Sequence, residues 1–318
     1  MDVLKEIEKQ ITSIKVEDNS IYLDQIYNHI DRAEKYYFQG QTDEHYFNDV
    51  IYRANQAYEG ALKEAYKILA AKSDEELQKT TPHKIEIHFK DNLIFRERVL
   101  QLFENYRQEW RNKSTHDHKL VFDENEAFIA LTNVSSFVHL LLKQIKEKLA
   151  FNNEQKRLQN EIEKLKEIQK TISAKGEPLV EKVVKAISEF VERNEFITSN
   201  GMISEIEVLG MLHGFLSMAN EDLNISREPK LAFNYKDLRP DFVIDYEQEK
   251  IVIEVKRRFE KHRLKEATEQ LLDYLEATDT VNGILYFVKT VEGKPVVSVD
   301  KQTVKRNEKD YNIYIITT

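Results

Sequence analysis

Residues 239–256 read RPDFVIDYEQEKIVIEVK. An acidic residue opens one apolar run. A polar stretch around Glu247, Gln248, Glu249 and Lys250 turns the chain, and a second run ends in Glu254-Val255-Lys256. Side chains alternate across a strand with a period of two. Asp241, Val243 and Asp245 therefore share one face of the first run. Val252, Glu254 and Lys256 share a face of the second, with Ile251, Ile253 and Val255 on the other. A hairpin of this kind brings Asp241 beside Glu254. Two carboxylates and the Val255 carbonyl are hard oxygen donors suited to Mg²⁺ or Mn²⁺. Such an ion lowers the pKa of a bound water and offsets the charge of a phosphodiester. Lys256 is placed to orient the attacking water or to stabilise developing negative charge.

The flanking segments extend the pattern. Upstream, SEIEVLGMLHGFLSMA (204–219) reads as a helix in which Glu205 shares a face with Leu209, Leu212 and Leu216, while Glu207 lies with Met211 and Met218. Downstream, EATEQLLDYLEA (266–277) is an amphipathic helix carrying Gln270, with Leu264, Ala267, Leu271, Tyr274 and Leu275 turned inward, and GILYFVK follows as a strand. Pro240-Asp241, then Glu254-x-Lys256, between a helical acid and a Gln-bearing helix, resembles the PD-(D/E)XK nuclease superfamily of restriction-endonuclease-like enzymes over roughly residues 178–318. The resemblance implies a mixed sheet flanked by helices. Asp241 and Glu254 would hold Mg²⁺ or Mn²⁺, Lys256 would position the water, Glu205 would complete the site and Gln270 would assist. It leaves open whether Glu205 or Glu207 is the helical acid, and whether the substrate is DNA or RNA. The plainer reading makes Glu254 and Lys256 solvent-facing charges on an edge strand.

The first half of the chain is helical by pattern, with glycine and proline scarce and apolar residues recurring at three and four. Phe47, Ile51, Ala54, Ala57, Tyr58, Ala61, Leu62 and Ala65 mark a core helix. Two further helical stretches, LIFRERVLQLFENYRQEWRN and ENEAFIALTNVSSFVHLLLKQI, suggest an antiparallel bundle. Between them lies WRNKSTHDH (110–118). A guanidinium can grip a phosphate at two points, and a histidine moves a proton near neutral pH. Arg111, four intervening residues and His116, with Asn112 after the arginine, resembles the HEPN superfamily over about residues 15–150. That resemblance implies a dimer whose shared cleft holds Arg111 as phosphate binder, His116 as general acid or base and Asn112 as geometric support, with no metal. His118 is a second, more distant choice. On their own, cations near a helix end also suit its dipole.

Composition bounds the rest. The chain has 318 residues, a net charge of −9 and no cysteine. A disulfide framework and thiolate zinc sites are excluded. No apolar run reads as long enough to span a bilayer and the N-terminus lacks a signal pattern, so a cytoplasmic protein with no membrane partner is expected. The acidic balance argues against general nucleic-acid coating. Basic residues nevertheless crowd the proposed site: Arg227, Lys230, Arg239, Lys256, Arg257, Arg258, Lys261, His262, Arg263 and Lys265. Of these, Arg239, Arg257 and Arg258 are the expected nucleic-acid contacts. Leu158, Ile162, Leu165, Ile168 and Ile172 keep a three–four rhythm that suits a long connecting helix or short coiled coil. Gly176 and Pro178 stop it. The expected architecture is therefore a helical HEPN-like domain with a coiled extension over residues 1–172 and an α/β PD-(D/E)XK-like domain over 178–318. Joining two such families points to prokaryotic antiviral defence, with DNA or RNA, a second copy of the chain through the helical domain, and companion defence proteins as partners. Three functions compete. One is a metal-dependent endonuclease with a HEPN-like dimerising part. Another is a metal-independent ribonuclease toxin whose C-terminal domain senses or recruits. The third is a non-catalytic binding protein.

Overall fold

The computed structural model describes residues 2–18, 22–92, 94–95, 97–111, 121–194, 196–198, 201–257, 259–288 and 296–317. The chain divides into two compact units, Met1–Leu149 and Ala150–Thr318. The first is helical: α1 (Val3–Glu17), α2 (Leu23–Gly40), α3 (Tyr46–Leu69), α4 (Asp74–Gln78), α5 (Pro82–Asp91), α6 (Glu97–Tyr106) and the start of α7 (Glu124–Asn160). Local chemistry sets several starts. Asp2 caps α1 by accepting from the Lys5 amide. Ser73 and Glu76 form a reciprocal capping box on α4. Thr81 caps α5, with Pro82 at the first helical position where its missing N–H costs nothing. The apolar faces of these helices meet in one core that includes Ile30, Phe47, Tyr58, Phe89, Phe103 and Phe137. A π-helical turn, Arg107–Arg111, follows α6 directly.

The second unit is built on a six-stranded mixed sheet in the order β3-β6-β7-β8-β10-β9. Its strands are β3 (Asn224–Arg227), β6 (Phe242–Tyr246), β7 (Glu249–Lys256), β8 (Asn282–Phe287), β9 (Ser298–Arg306) and β10 (Lys309–Thr317). Short pairs β1–β2 (Ile197–Thr198, Gly201–Met202) and β4–β5 (Leu231–Phe233, Lys236–Leu238) lie outside it. β6 and β7 form the expected antiparallel hairpin, in register from Tyr246 opposite Glu249 to Phe242 opposite Ile253. Glu247 takes a positive φ in the turn. β7 and β8 are parallel, joined through α11 (Lys261–Ala277), and β8 and β10 are parallel as well.

Alternation along the hairpin splits the core in two. Phe242, Ile244, Ile251, Ile253 and Val255 pack with α8 (Ile162–Ile172), α9 (Leu179–Arg193) and α10 (Glu205–Ala219). Val243 and Val252 pack on the opposite face with Ala267, Leu271, Tyr274 and Leu275 of α11. The coarse architecture is thus a helical N-terminal part followed by a mixed sheet with helices on both faces.

Three details differ from the sequence expectation. The helix stop at Gly176, whose φ is +80°, is present, but the compact units divide between Leu149 and Ala150. The reason is burial: Leu158, Ile168 and Ile172 lie fully inside the second core. The segment read as a coiled extension is therefore not continuous. It breaks at Glu161, and α8 packs on its own unit, while Ile162 is exposed. Second, β7 is an interior strand and Glu254 is only 4% exposed, which disposes of the edge-strand reading. Third, among the described residues α7 is long and apolar enough to cross a bilayer by length and composition. Its Ala127, Ala130, Val134, Val138, Leu141 and Ile145 are buried in the first unit's core, as in the core helix of a globular domain.

Two glycines permit close approach in the second unit. A Cβ on Gly214 would lie 2.6 Å from the Phe151 carbonyl oxygen, a backbone atom. One on Gly283 would meet the Leu271 side chain at 2.8 Å, which can rotate away. Gly214→Ala is expected to destabilise the chain by about 1–3 kcal/mol and Gly283→Ala by clearly less. Denaturant unfolding of the two variants checks the order.

Candidate active site

The hairpin positions the carboxylates. Pairing of Phe242 with Ile253 carries Asp241 opposite Glu254, and the two are laced together through backbone. The Asp241 N–H donates to Glu254 Oε2 at 3.2 Å, and the Val255 N–H donates to Asp241 Oδ2 at 2.7 Å. Lys256 Nζ donates to Glu254 Oε1 at 2.6 Å. Arg227, at the end of β3, donates from Nη1 to the Asp241 carbonyl at 3.0 Å and lies 3.6 Å from Asp241 Oδ1. Burial pushes the Glu254 carboxyl up to about 7, and the neighbouring Asp241 charge adds to the rise against the pull of Lys256. Asp241 is raised too, again chiefly by burial, with the Val255 amide, Arg227 and Lys256 pulling it down and Glu205 pushing it up. Two carboxylates thus share a dry site without enough positive charge to settle both.

The flanking helices divide the remaining candidates. Glu207 is the third residue of α10 and its carboxylate closes a capping box, accepting from the Ser204 N–H at 2.6 Å and from the Ser204 hydroxyl. Glu205, the first residue of the helix, is exposed, and its charge is felt at Asp241. Glu207 is thus engaged at the helix start, while Glu205 adds negative charge that reaches Asp241. On α11, Gln270 Nε2 donates to the Tyr274 hydroxyl at 2.5 Å. Tyr274 is buried, and its phenol is pushed up to about 12 by burial and by the Glu254 charge. It is therefore a neutral proton donor near the carboxylates throughout the physiological range. The sequence reading treated Tyr274 only as inward packing. The missed signal was its spacing: it stands four residues after Gln270, so both share one helical face.

The basic rim is partly consumed by local acids. Lys230 pairs with Asp237 at 3.1 Å, and His262 and Arg263 each reach Glu260 at 3.3 Å. Arg239 donates to the Glu228 carbonyl at 3.2 Å. Arg257 and Lys265 are exposed, and Arg258 lies outside the described residues. In the helical unit, Arg111 ends the π-helical turn and pairs with Glu59 through a 2.9 Å contact. Asn112, His116 and His118 lie outside the described residues, so the HEPN-like triad is represented by its arginine alone.

The donor set fits a hard divalent cation. Asp241 and Glu254 bring two largely buried carboxylates whose anions are disfavoured chiefly by burial, a penalty that a bound cation would offset. Among the described residues no group of three or more His, Cys, Asp or Glu side chains forms a full protein cage. Mg²⁺ is ordinarily content with one or two carboxylates, completing its shell with water and substrate phosphate. No family model matches the chain, and no curated protein or solved structure is significantly similar to it.

Proposed function

We propose that the second unit is a metal-dependent endonuclease that hydrolyses nucleic-acid phosphodiesters, acting as a prokaryotic anti-phage effector. One observation carries the reading: two largely buried carboxylates, Asp241 and Glu254, each raised chiefly by burial, with Lys256 against the second. Asp241 and Glu254 would hold Mg²⁺ or Mn²⁺, with Glu205 adding negative charge from the helix start. A bound divalent ion there supplies Lewis-acid charge and a water of lowered pKa. Lys256, partly exposed at the strand end, donates to the attacking water or to the phosphoryl oxygens as charge builds. Gln270 fixes the Tyr274 hydroxyl as an acceptor, which leaves the phenol proton for another partner. The exposed Arg257 and the half-buried Arg239 beside the hairpin supply cations for the nucleic-acid backbone.

The test is cleavage of duplex DNA, single strands and structured RNA with Mg²⁺ and with EDTA. Cleavage is expected with Mg²⁺ only, and to be lost in Asp241→Asn and Lys256→Met proteins that remain folded. Cleavage that survives EDTA and both substitutions removes this site from the chemistry.

A second reading places metal-independent RNA cleavage in the helical unit. It is favoured by the position of Arg111 at the end of a π-helical turn, a distortion common at functional sites. EDTA-resistant RNA cleavage lost in His116→Ala is its expected result. A chain that cleaves nothing and binds nucleic acid unchanged would leave the binding-protein reading.

A further inference from the structure

We infer that the β4–β5 hairpin is a finger that stacks Tyr235 on an unpaired base of the nucleic acid bound at the Asp241–Glu254 site. This rests on the nuclease reading and adds to it a substrate class, strands with unpaired bases, and a residue that selects them.

The hairpin is a two-residue turn between paired strands: Leu231 lies opposite Leu238, Ala232 opposite Asp237 and Phe233 opposite Lys236. The turn residues Asn234 and Tyr235 both have positive φ, 46° and 62°. Asparagine tolerates this geometry, but the second position of such a turn ordinarily takes glycine, and a bulky side chain there is locally unfavourable. Local folding preference thus does not explain the tyrosine. Burial does not explain it either, because Tyr235 is 111% exposed, the most exposed large hydrophobic side chain among the described residues. A fully exposed aromatic ring at a hairpin tip is open to an external partner. A flat aromatic ring with a polar edge, beside exposed Asn234 and Lys236, matches the face of a nucleobase next to a phosphate.

The root of the finger ties this tip to the site. Glu228, just before the hairpin, donates its N–H to the Asp241 carbonyl at 3.1 Å. Arg227 donates to the same carbonyl and Arg239, just after the hairpin, donates to the Glu228 carbonyl. Leu238 packs into the core under α11. The two ends of the hairpin are therefore fastened around the backbone of the proposed metal ligand, and the tip is free. β4 and β5 are three residues each, about 10 Å of strand, so the tip stands beyond that root by at least roughly three stacked nucleotide steps. Duplex bases offer no open face at that distance from a scissile phosphate, while a single strand or frayed end does.

The experiment uses the full chain with Ca²⁺ in place of Mg²⁺, and single-stranded DNA and RNA oligonucleotides carrying one 2-aminopurine at successive positions. Binding is expected to change the fluorescence of the probe base within about three nucleotides of the cut site. Tyr235→Phe and Tyr235→Trp should preserve that signal. Tyr235→Ala and Tyr235→Gly should remove it and weaken single-strand binding roughly 5- to 150-fold. Binding to blunt duplex should stay unchanged. Tyr235→Gly should melt at or above the wild-type temperature, which separates loss of the stack from loss of the fold. The DNA and RNA arms show which strand chemistry is taken. Wild-type-like cleavage and affinity of Tyr235→Ala on both single strands overturns the finger while the nuclease reading stands. Absence of binding and cleavage by the wild-type chain overturns both.

Discussion

Glu254→Gln is expected to abolish Mg²⁺-dependent cleavage while making the fold more stable above neutral pH. The two halves have one cause. In the folded chain the Glu254 carboxyl titrates at about 7 rather than at its ordinary 4.5, because burial and the Asp241 charge disfavour its anion. A carboxyl whose folded pKa is raised binds its proton more tightly in the native state. Its favourable contribution is therefore fully present below about pH 4.5 and is lost as the pH rises towards and through about 7. The shift corresponds to about 3 kcal/mol, and Asp241, shifted in the same direction, adds to it. Glutamine carries no such charge and forfeits the Lys256 ion pair, so a net gain of about 1–3 kcal/mol at pH 8 is expected. The gap between wild type and variant should open across that window and close in acid. Urea unfolding at several pH values measures it, and parallel stability curves would refute the assignment. Mg²⁺ should narrow the gap, since it favours the wild-type carboxylates and has less to bind in the variant. Cleavage should fall by at least about 10²-fold, the scale of losing one preorganised electrostatic contributor.

That coupling of strain and chemistry also explains what the sequence disclosed. The β6–β7 hairpin was legible because two apolar runs flank a short polar turn that fixes their register. Asp241, Glu254 and Lys256 came with it. Gln270 was legible from its amphipathic helix, and Tyr274 was not, since an inward tyrosine looks the same whether it only packs or also engages Gln270 through its hydroxyl. The capping role of Glu207 was legible from Ser204-x-x-Glu207, a capping-box signature. β9, β10 and β4–β5 escaped notice. β9 carries mostly polar side chains, and β4 and β5 are three residues each, too short for a periodicity to stand out. The helix stop at Gly176 was real but did not separate the cores, because a turn reports local backbone geometry and a core reports where Leu158, Ile168 and Ile172 are buried.

Arg107→Ala is expected to destabilise the helical unit by about 3–5 kcal/mol, and Arg111→Ala by no more than about 1 kcal/mol. The two arginines stand four residues apart on the same turn but serve different partners. Arg107 Nε donates to Glu86 Oε2 at 2.7 Å, and Tyr58 donates to the other oxygen, Oε1, at 2.5 Å. Glu86 is 4% exposed and sits among packed rings, with Tyr58 against both Tyr106 and Phe137. Removing Arg107 leaves a buried carboxylate with one neutral donor, and the loss of its counter-charge dominates. Replacing the set together, as Glu86→Leu, Arg107→Met and Tyr58→Phe, should recover most of the loss, because the desolvation cost disappears with the charges. If the triple variant is as unstable as Arg107→Ala, the network contributes net stability. The Arg111–Glu59 pair is nearer to solvent, at 28% and 31% side-chain exposure, so water compensates much of its removal. This contrast makes Arg111 the informative substitution for the helical unit. An Arg111→Ala chain that unfolds like wild type yet loses EDTA-resistant RNA cleavage assigns the guanidinium to phosphate binding. One that keeps such cleavage leaves Arg111 as the structural partner of Glu59, and the chemistry with the carboxylate pair of the second unit.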